Sequence, residues 1–405
     1  MTDAVLEIAA MGRRGEGIAK HDGLSIFVPL SLPGEELRVR LDGERGRIQD
    51  ILVASPQRIA AFCPHYRSCG GCQLQHWRDE PYQIWKVELV ESALAAKGIT
   101  VKVSTLIDAH GDGRRRVGIH ARRRDGVVTA GFMAARTHSL LDLDRCPVLV
   151  AELGRAFDVA RALAVRLGDS DVTLTATASG LDASVKAERK IVTAEQPKLA
   201  GLARELDLAR LSVNGEVVVM PRVPLVRMGK AMVPIPPISF LQATAAGEDT
   251  LGRLVLEGLG KAKTVADLFS GCGPFTFRLA ERAKVRAFDS DRPAIAALQM
   301  AQRATTGLKP ISAEVRDLFR APLVATELRD FDAVVFDPPR AGAEAQAKQL
   351  AKSQVKTVIA VSCDPATLAR DAAILVEGGY TLKAVTAVDQ FKWTAHVETV
   401  AVFRK

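Results

Sequence analysis

Near the amino terminus apolar and polar residues alternate in short bursts, as in Leu24-Ser25-Ile26-Phe27-Val28 and Leu37-Arg38-Val39-Arg40-Leu41. Turn signals at Asp22-Gly23, Pro33-Gly34 and Asp42-Gly43 separate the bursts, a pattern that predicts a small β-barrel over residues 1–55. A helical stretch is expected at 81–97. Residues 101–233 read as a mixed α/β region of open topology, with strand-like pieces at 172–178 and 213–220 and a helical piece near 149–167. Beyond Thr264 the pattern changes again. Apolar strands at 265–269, 285–288, 333–336 and 358–361 alternate with amphipathic helices, and each strand runs into a polar or glycine-rich loop. That order predicts an open parallel sheet with its ligand site at the carboxyl ends of the strands.

With 405 residues and 48% hydrophobic composition the chain can bury more than one core. The expected division is 1–55, 56–235 and 236–405. No run of about eighteen apolar residues is free of charge, and an amino terminus carrying Asp3 and Glu7 lacks the basic-then-apolar order of a secretory signal. A cytoplasmic monomer without a membrane partner is therefore expected. The net charge of +8 and pI near 9.2 favour a polyanionic partner. Two basic runs, Arg114-Arg115-Arg116 and Arg122-Arg123-Arg124, flank a strand-like stretch and are expected to lie along phosphates; Arg13 and Arg14 are weaker candidates.

The chemistry gathers at the strand ends. In Asp267-Leu268-Phe269-Ser270-Gly271-Cys272-Gly273-Pro274 glycines stand where a strand turns into a helix, so the backbone can approach a ligand closely. Asp289 ends the next strand, where a carboxylate can accept hydrogen bonds from both ribose hydroxyls of a nucleoside; Asp291 is the less favoured substitute. The short spacing, without a Gly-x-Gly-x-x-Gly run, argues for S-adenosylmethionine rather than a dinucleotide. Asp337-Pro338-Pro339-Arg340 brings a second carboxylate to the same edge. Cys363, between a strand and a helix, is expected to gain thiolate character from the helix dipole and unpaired N–H groups. Cys63, Cys69 and Cys72, with Cys146 as a distant fourth, suit either zinc or an iron–sulfur cluster.

The run 361–371 around Cys363 resembles the nucleophile motif of the RNA uracil-5 methyltransferase family. Asp389-Gln390-Phe391 and Thr394-Ala395-His396-Val397-Glu398 resemble its closing motif, and Phe240-Leu241-Gln242 and Asp337-Pro338-Pro339-Arg340-Ala341-Gly342 are further matches. The resemblance covers most of 236–405 and implies a Rossmann-like class I methyltransferase domain acting on RNA. In it Cys363 is the nucleophile, Glu398 the proton acceptor, and Gln242, Phe269, Asp289, Asp317 and Asp337 line the pocket for S-adenosylmethionine and the uracil. Gly15-Glu16-Gly17-Ile18-Ala19-Lys20, Phe27-Val28-Pro29 and Leu32-Pro33-Gly34-Glu35 resemble the TRAM domain, an OB-like barrel. The three-plus-one cysteines are similar to those of the 23S rRNA branch, which implies a [4Fe–4S] cluster and 23S rRNA as partner; tRNA as substrate, or a non-enzymatic RNA-binding role, are the alternatives. Pro274, Thr244, Asp364 and Lys392 depart from the usual family pattern and put the fine geometry of the cofactor pocket in question, Pro274 above all because it has no N–H to donate.

Overall fold

The computed structural model describes residues 2–135, 137 and 139–405. The first six strands are β1 (Thr2–Glu7), β2 (Ala10–Met11), β3 (Glu16–His21), β4 (Leu24–Pro29), β5 (Glu36–Asp42) and β6 (Arg45–Val53), in the order β1-β5-β6-β4-β3-β2. β1 and β2 are halves of one segment. The first half pairs with β5 and the second with β3, so the sheet closes into a barrel around Leu6, Ile26, Val28, Leu37 and Val39. Asp22 and Gly23 both take positive φ (48° and 78°), the conformation a two-residue hairpin turn needs to match strand twist.

The middle of the chain supplies α1 (Asp79–Ala95), β7 (Ile107–Asp108), β8 (Arg116–Arg124), β9 (Val127–Met133), β10 (Leu140–Asp142), α2 (Ala156–Leu167), β11 (Ser170–Thr177), β12 (Gly180–Ala187), α3 (Gln196–Glu205), β13 (Leu208–Val213) and β14 (Glu216–Val219). Seven of these strands form a sheet ordered β10-β9-β8-β11-β12-β13-β14. α2 packs on it, Phe157 and Leu163 joining Ile119, Val172 and Leu174 in one core. The strand expected at 213–220 is instead a hairpin, because Asn214 and Gly215 both adopt positive φ (50° and 87°) and reverse the chain. The helix expected over 149–167 begins later, at Ala156, behind a short 3₁₀ turn at Ala151–Leu153.

After the hairpin β15 (Leu225–Met228) and β16 (Ala231–Pro234) come α4 (Ala245–Leu259), β17 (Thr264–Leu268), α5 (Thr276–Leu279), β18 (Lys284–Asp289), α6 (Arg292–Ala304), β19 (Ile311–Val315), β20 (Ala333–Phe336), α7 (Glu344–Ala351), β21 (Thr357–Ser362), α8 (Pro365–Glu377), β22 (Thr381–Asp389) and β23 (Glu398–Arg404). They build a sheet ordered β19-β18-β17-β20-β21-β23-β22-β7, in which β17 to β21 run parallel and β23 inserts antiparallel between β21 and β22. Every residue of β20 and β21 is buried, as expected of parallel strands covered on both faces. β17 has β18 on one side and β20 on the other, so the chain's direction of travel reverses there and leaves a crevice at the carboxyl ends. α1 and β7 precede the seven-stranded sheet in sequence yet pack on this one: Val90 and Leu94 share a core with Leu368, Tyr380 and Val385. Among the described residues no helix is long and apolar enough to cross a membrane.

Candidate active site

Strand order sets the layout of the crevice. Asp317 follows β19, Asp289 ends β18 and Phe269 follows β17; on the other side Asp337 follows β20, Cys363 follows β21 and Glu398 opens β23. In the first half Gly271 and Gly273 take positive φ (52° and 97°), and a Cβ at Gly273 would press on Phe277 and Leu298 at about 3 Å. The Asp289 carboxylate is fixed by the amides of Gly271 and Asp291, each 2.8 Å away. Asp291 has a different role, capping α6 by accepting from the Ala294 amide. Asp317 accepts from the Phe319 and Arg320 amides, which places Phe319 against the Phe269 ring at 5.4 Å. At the floor, Asp267 accepts from Thr276 Oγ1 at 2.5 Å; burial raises its pKa to about 7, and its Oδ1 has no partner among the described residues.

The second half is a relay of side chains. Gln242 donates to Asp337 at 2.9 Å, Gln390 donates to Gln242 at 2.6 Å and to Glu398 at 3.1 Å, and the Gln390 carbonyl accepts from the Ala243 amide. Register brings the two candidate residues together: Ser362 pairs with Thr399, so the next residue out on each strand is Cys363 on one and Glu398 on the other. Burial pushes the Glu398 carboxyl upward in pKa, and nearby Asp337 adds to the effect. Burial also raises Asp337. Cys363 is pushed up to about 11 by burial, then by Glu398 and Asp337, with Arg340 opposing. Burial thus opposes the thiolate character expected from the helix terminus. Asp364 caps α8 with its own carboxylate on the Ala366 and Thr367 amides, and Pro365 has no N–H, so the helix end is already satisfied.

The first basic run behaves differently from expectation. Arg115 is buried, bonded to Glu248 at 2.6 Å and to the Gln242 carbonyl at 2.9 Å, and Arg116 donates to the Ser239 carbonyl at 2.6 Å. These two arginines hold the loop that presents Gln242 instead of lying on phosphates. Arg122 and Arg124 pair with Asp171 and Asp169. Cys63, Cys69, Cys72 and Cys146 are free thiols lining one cavity of about 210 Å³ together with Arg114 and Arg116. Arg114 Nε is buried without a partner among the described residues, and the Arg114 charge acts on Cys72, so the wall offers an N–H donor and positive charge beside the thiols. Among the described residues no three His, Cys, Asp or Glu side chains are already gathered as a metal-binding group.

Residues 239–405 match the family model of tRNA (uracil-5-)-methyltransferases. An uncharacterized RNA methyltransferase of Brucella suis biovar 1 is 47% identical over 99% of this chain and 97% of its own length. The 23S rRNA (uracil(1939)-C(5))-methyltransferase of Halomonas elongata is 33% identical over 98% of this chain and 88% of its own. The chain belongs to the RNA uracil-5 methyltransferase family. Its fold matches that of the Pyrococcus abyssi tRNA (uracil-54, C5)-methyltransferase in complex with S-adenosyl-L-homocysteine, with a TM-score of 0.74 over 99% of this chain and 100% of that one, at 24% identity. By family it is thus an RNA methyltransferase.

Each departure from the RNA uracil-5 methyltransferase pattern has a local account. Thr244 caps α4 through the Gly247 amide and donates to the Ala109 carbonyl. Pro274 opens the turn leading to α5, where an amide has no intrahelical partner in any case. Lys392 pairs with Asp108 at 2.6 Å. The sequence reading missed what Gln390, Arg115 and Arg116 do. Gln390 lies inside a matched motif, but its link to Gln242 spans 148 positions and is visible only in three dimensions.

Proposed function

We propose that this enzyme transfers a methyl group from S-adenosylmethionine to carbon 5 of one uridine in 23S rRNA, with Cys363 bonded to carbon 6 during the reaction and Glu398 removing the carbon 5 proton. The observation that carries the reading is the β21–β23 register, which sets Cys363 beside Glu398 with Asp337 on the adjoining strand. Carbon 5 of uracil is a poor nucleophile, and addition of a thiolate at carbon 6 makes the enolate that can accept a methyl group. S-adenosylmethionine supplies that methyl group when bound. Asp337, held by Gln242, receives the polar edge of a base turned out of its stack, while Asp289, Phe269 and Asp317 border the cofactor's side. Addition to carbon 6 needs Cys363 as a thiolate, a form that burial, Glu398 and Asp337 oppose and Arg340 favours.

The amino-terminal barrel, read as a TRAM domain, adds an RNA-facing surface. A [4Fe–4S] cluster on Cys63, Cys69, Cys72 and Cys146 belongs to the same proposal. Its support is the shared cavity and the unpartnered Arg114 donor beside it, which suit an anionic four-thiolate centre. Methyl transfer needs no electron, so the centre would be structural or RNA-facing. The substrate is tested by incubating the purified enzyme with labelled S-adenosylmethionine and unmodified 23S rRNA or tRNA transcripts. A single 5-methyluridine in 23S rRNA is expected; label confined to tRNA would move the same chemistry there, and no label in either would favour a binding role.

A further inference from the structure

Lys86 is a fully buried lysine on α1, a helix that lies outside the matched motifs. Its Nζ reaches Asp389 Oδ1 at 2.5 Å, the His396 carbonyl at 2.6 Å and the Phe391 carbonyl at 3.5 Å. Four positions earlier on the same helix, the Tyr82 hydroxyl donates to Asp389 Oδ2 at 2.7 Å and accepts from the Trp393 amide at 2.9 Å. Asp389 ends β22 and Glu398 begins β23, so these contacts grip both limbs of the connection that carries Gln390 and Glu398. The connection needs holding, because Trp393 sits at φ +63°, a left-handed conformation that a tryptophan adopts only under constraint. Gln73 and Leu74 amides clamp its carbonyl, and Phe62 and His110 pack against its ring.

A buried lysine–aspartate pair is a poor source of stability compared with apolar packing, and its better-attested use is to select one geometry among several. We propose that Lys86, with Tyr82 and Asp389, is a positioning group that sets the placement of Glu398 against carbon 5 of the uracil bonded to Cys363. This rests on the roles given above to Cys363 and Glu398. In the step concerned, the carbon 5 proton passes to the Glu398 carboxylate and the C–H pair forms the C5=C6 bond as the C6–S bond breaks, the C–S electrons leaving with Cys363 as thiolate.

The test compares two RNAs. Ordinary RNA needs proton removal for release, whereas 5-fluorouridine RNA has no proton at carbon 5, so a covalent complex accumulates once Cys363 has added and the methyl group has moved. Lys86→Met, Tyr82→Phe and Glu398→Gln are each measured on both substrates, the Glu398 variant serving as reference. For Lys86→Met we expect turnover of ordinary RNA to fall on the order of tenfold to a hundredfold, with covalent complex building up, while trapping on 5-fluorouridine RNA stays near the wild-type rate. Tyr82→Phe, which leaves no cavity, should show the same split to a smaller degree and covers the case in which Lys86→Met does not fold. Equal losses on both RNAs in Tyr82→Phe, or no loss in either variant, would overturn the inference while leaving the Glu398 reading intact. Failure of Glu398→Gln to show the split would overturn that reading itself.

Discussion

In the role proposed for it, Glu398 combines two demands that conflict. It must be a carboxylate to accept a proton, yet burial and the neighbouring Asp337 favour its protonated form. Cys363 is displaced in the same direction for the same reasons. Both groups gain their active form as pH rises, so kcat/KM should climb steadily between about pH 6 and 9, and a flat profile would show that neither ionisation limits the reaction. The sign for stability is opposite. A carboxyl whose folded pKa lies above its unfolded value binds the proton more tightly when folded, so its contribution is full below the unfolded pKa and is lost as pH rises through the folded one. Glu398→Gln should therefore raise the unfolding midpoint at about pH 8 and change it little at about pH 4, as read by thermal denaturation. Asp289→Ala removes an acceptor held by two amides; a loss of about 1.5–3 kcal/mol in S-adenosylmethionine binding is expected by calorimetry, roughly ten- to a hundredfold in Kd. At this scale Cys363 and Glu398 could be singled out as candidates because their motifs are local. The upward pressure on the Cys363 pKa was not legible, since it comes from burial first and then from Glu398 and Asp337, which other strands bring near.

The elements of the carboxyl-terminal sheet were legible from their apolar runs, and the strands begin and end close to where those runs do. The middle region was less so, because an Asn-Gly turn inside an apolar stretch divides what reads as one strand. α1 shows a signal of another kind. Tyr82, Trp85, Lys86, Val90 and Leu94 recur at helical spacing on its buried face, so Lys86 stands where an apolar residue is expected and announces a buried partner, though not which one. Asp364 marks the start of α8. Asp364→Ala should cost about 1 kcal/mol in denaturant unfolding through loss of the cap, whereas Asp364→Asn should cost little and lower the negative charge beside Cys363.

Across the whole molecule the sheets are joined by buried polar links as well as apolar contact. Arg115, the residue before β8 of the seven-stranded sheet, reaches Glu248 in α4 and the Gln242 carbonyl, tying that sheet to the loop that carries Gln242. Arg115→Ala would leave Glu248 with Arg278 as its remaining partner and should destabilise the protein by roughly 3 kcal/mol. The salt dependence of RNA binding should not change, since this arginine neutralises no phosphate in the fold described. Sequence alone could not separate such an internal arginine from a phosphate-binding one, because both occur in the same basic run.

The covalent step is the centre of the account, and it is read most directly by mass spectrometry of Glu398→Gln after incubation with S-adenosylmethionine and unmodified 23S rRNA. A nuclease- and protease-digested peptide containing Cys363 and carrying one methylated uridine is the expected product, absent when Cys363→Ala is combined with the same variant. Methylated RNA formed without any adduct, or an adduct on Cys272 or another residue, would contradict it.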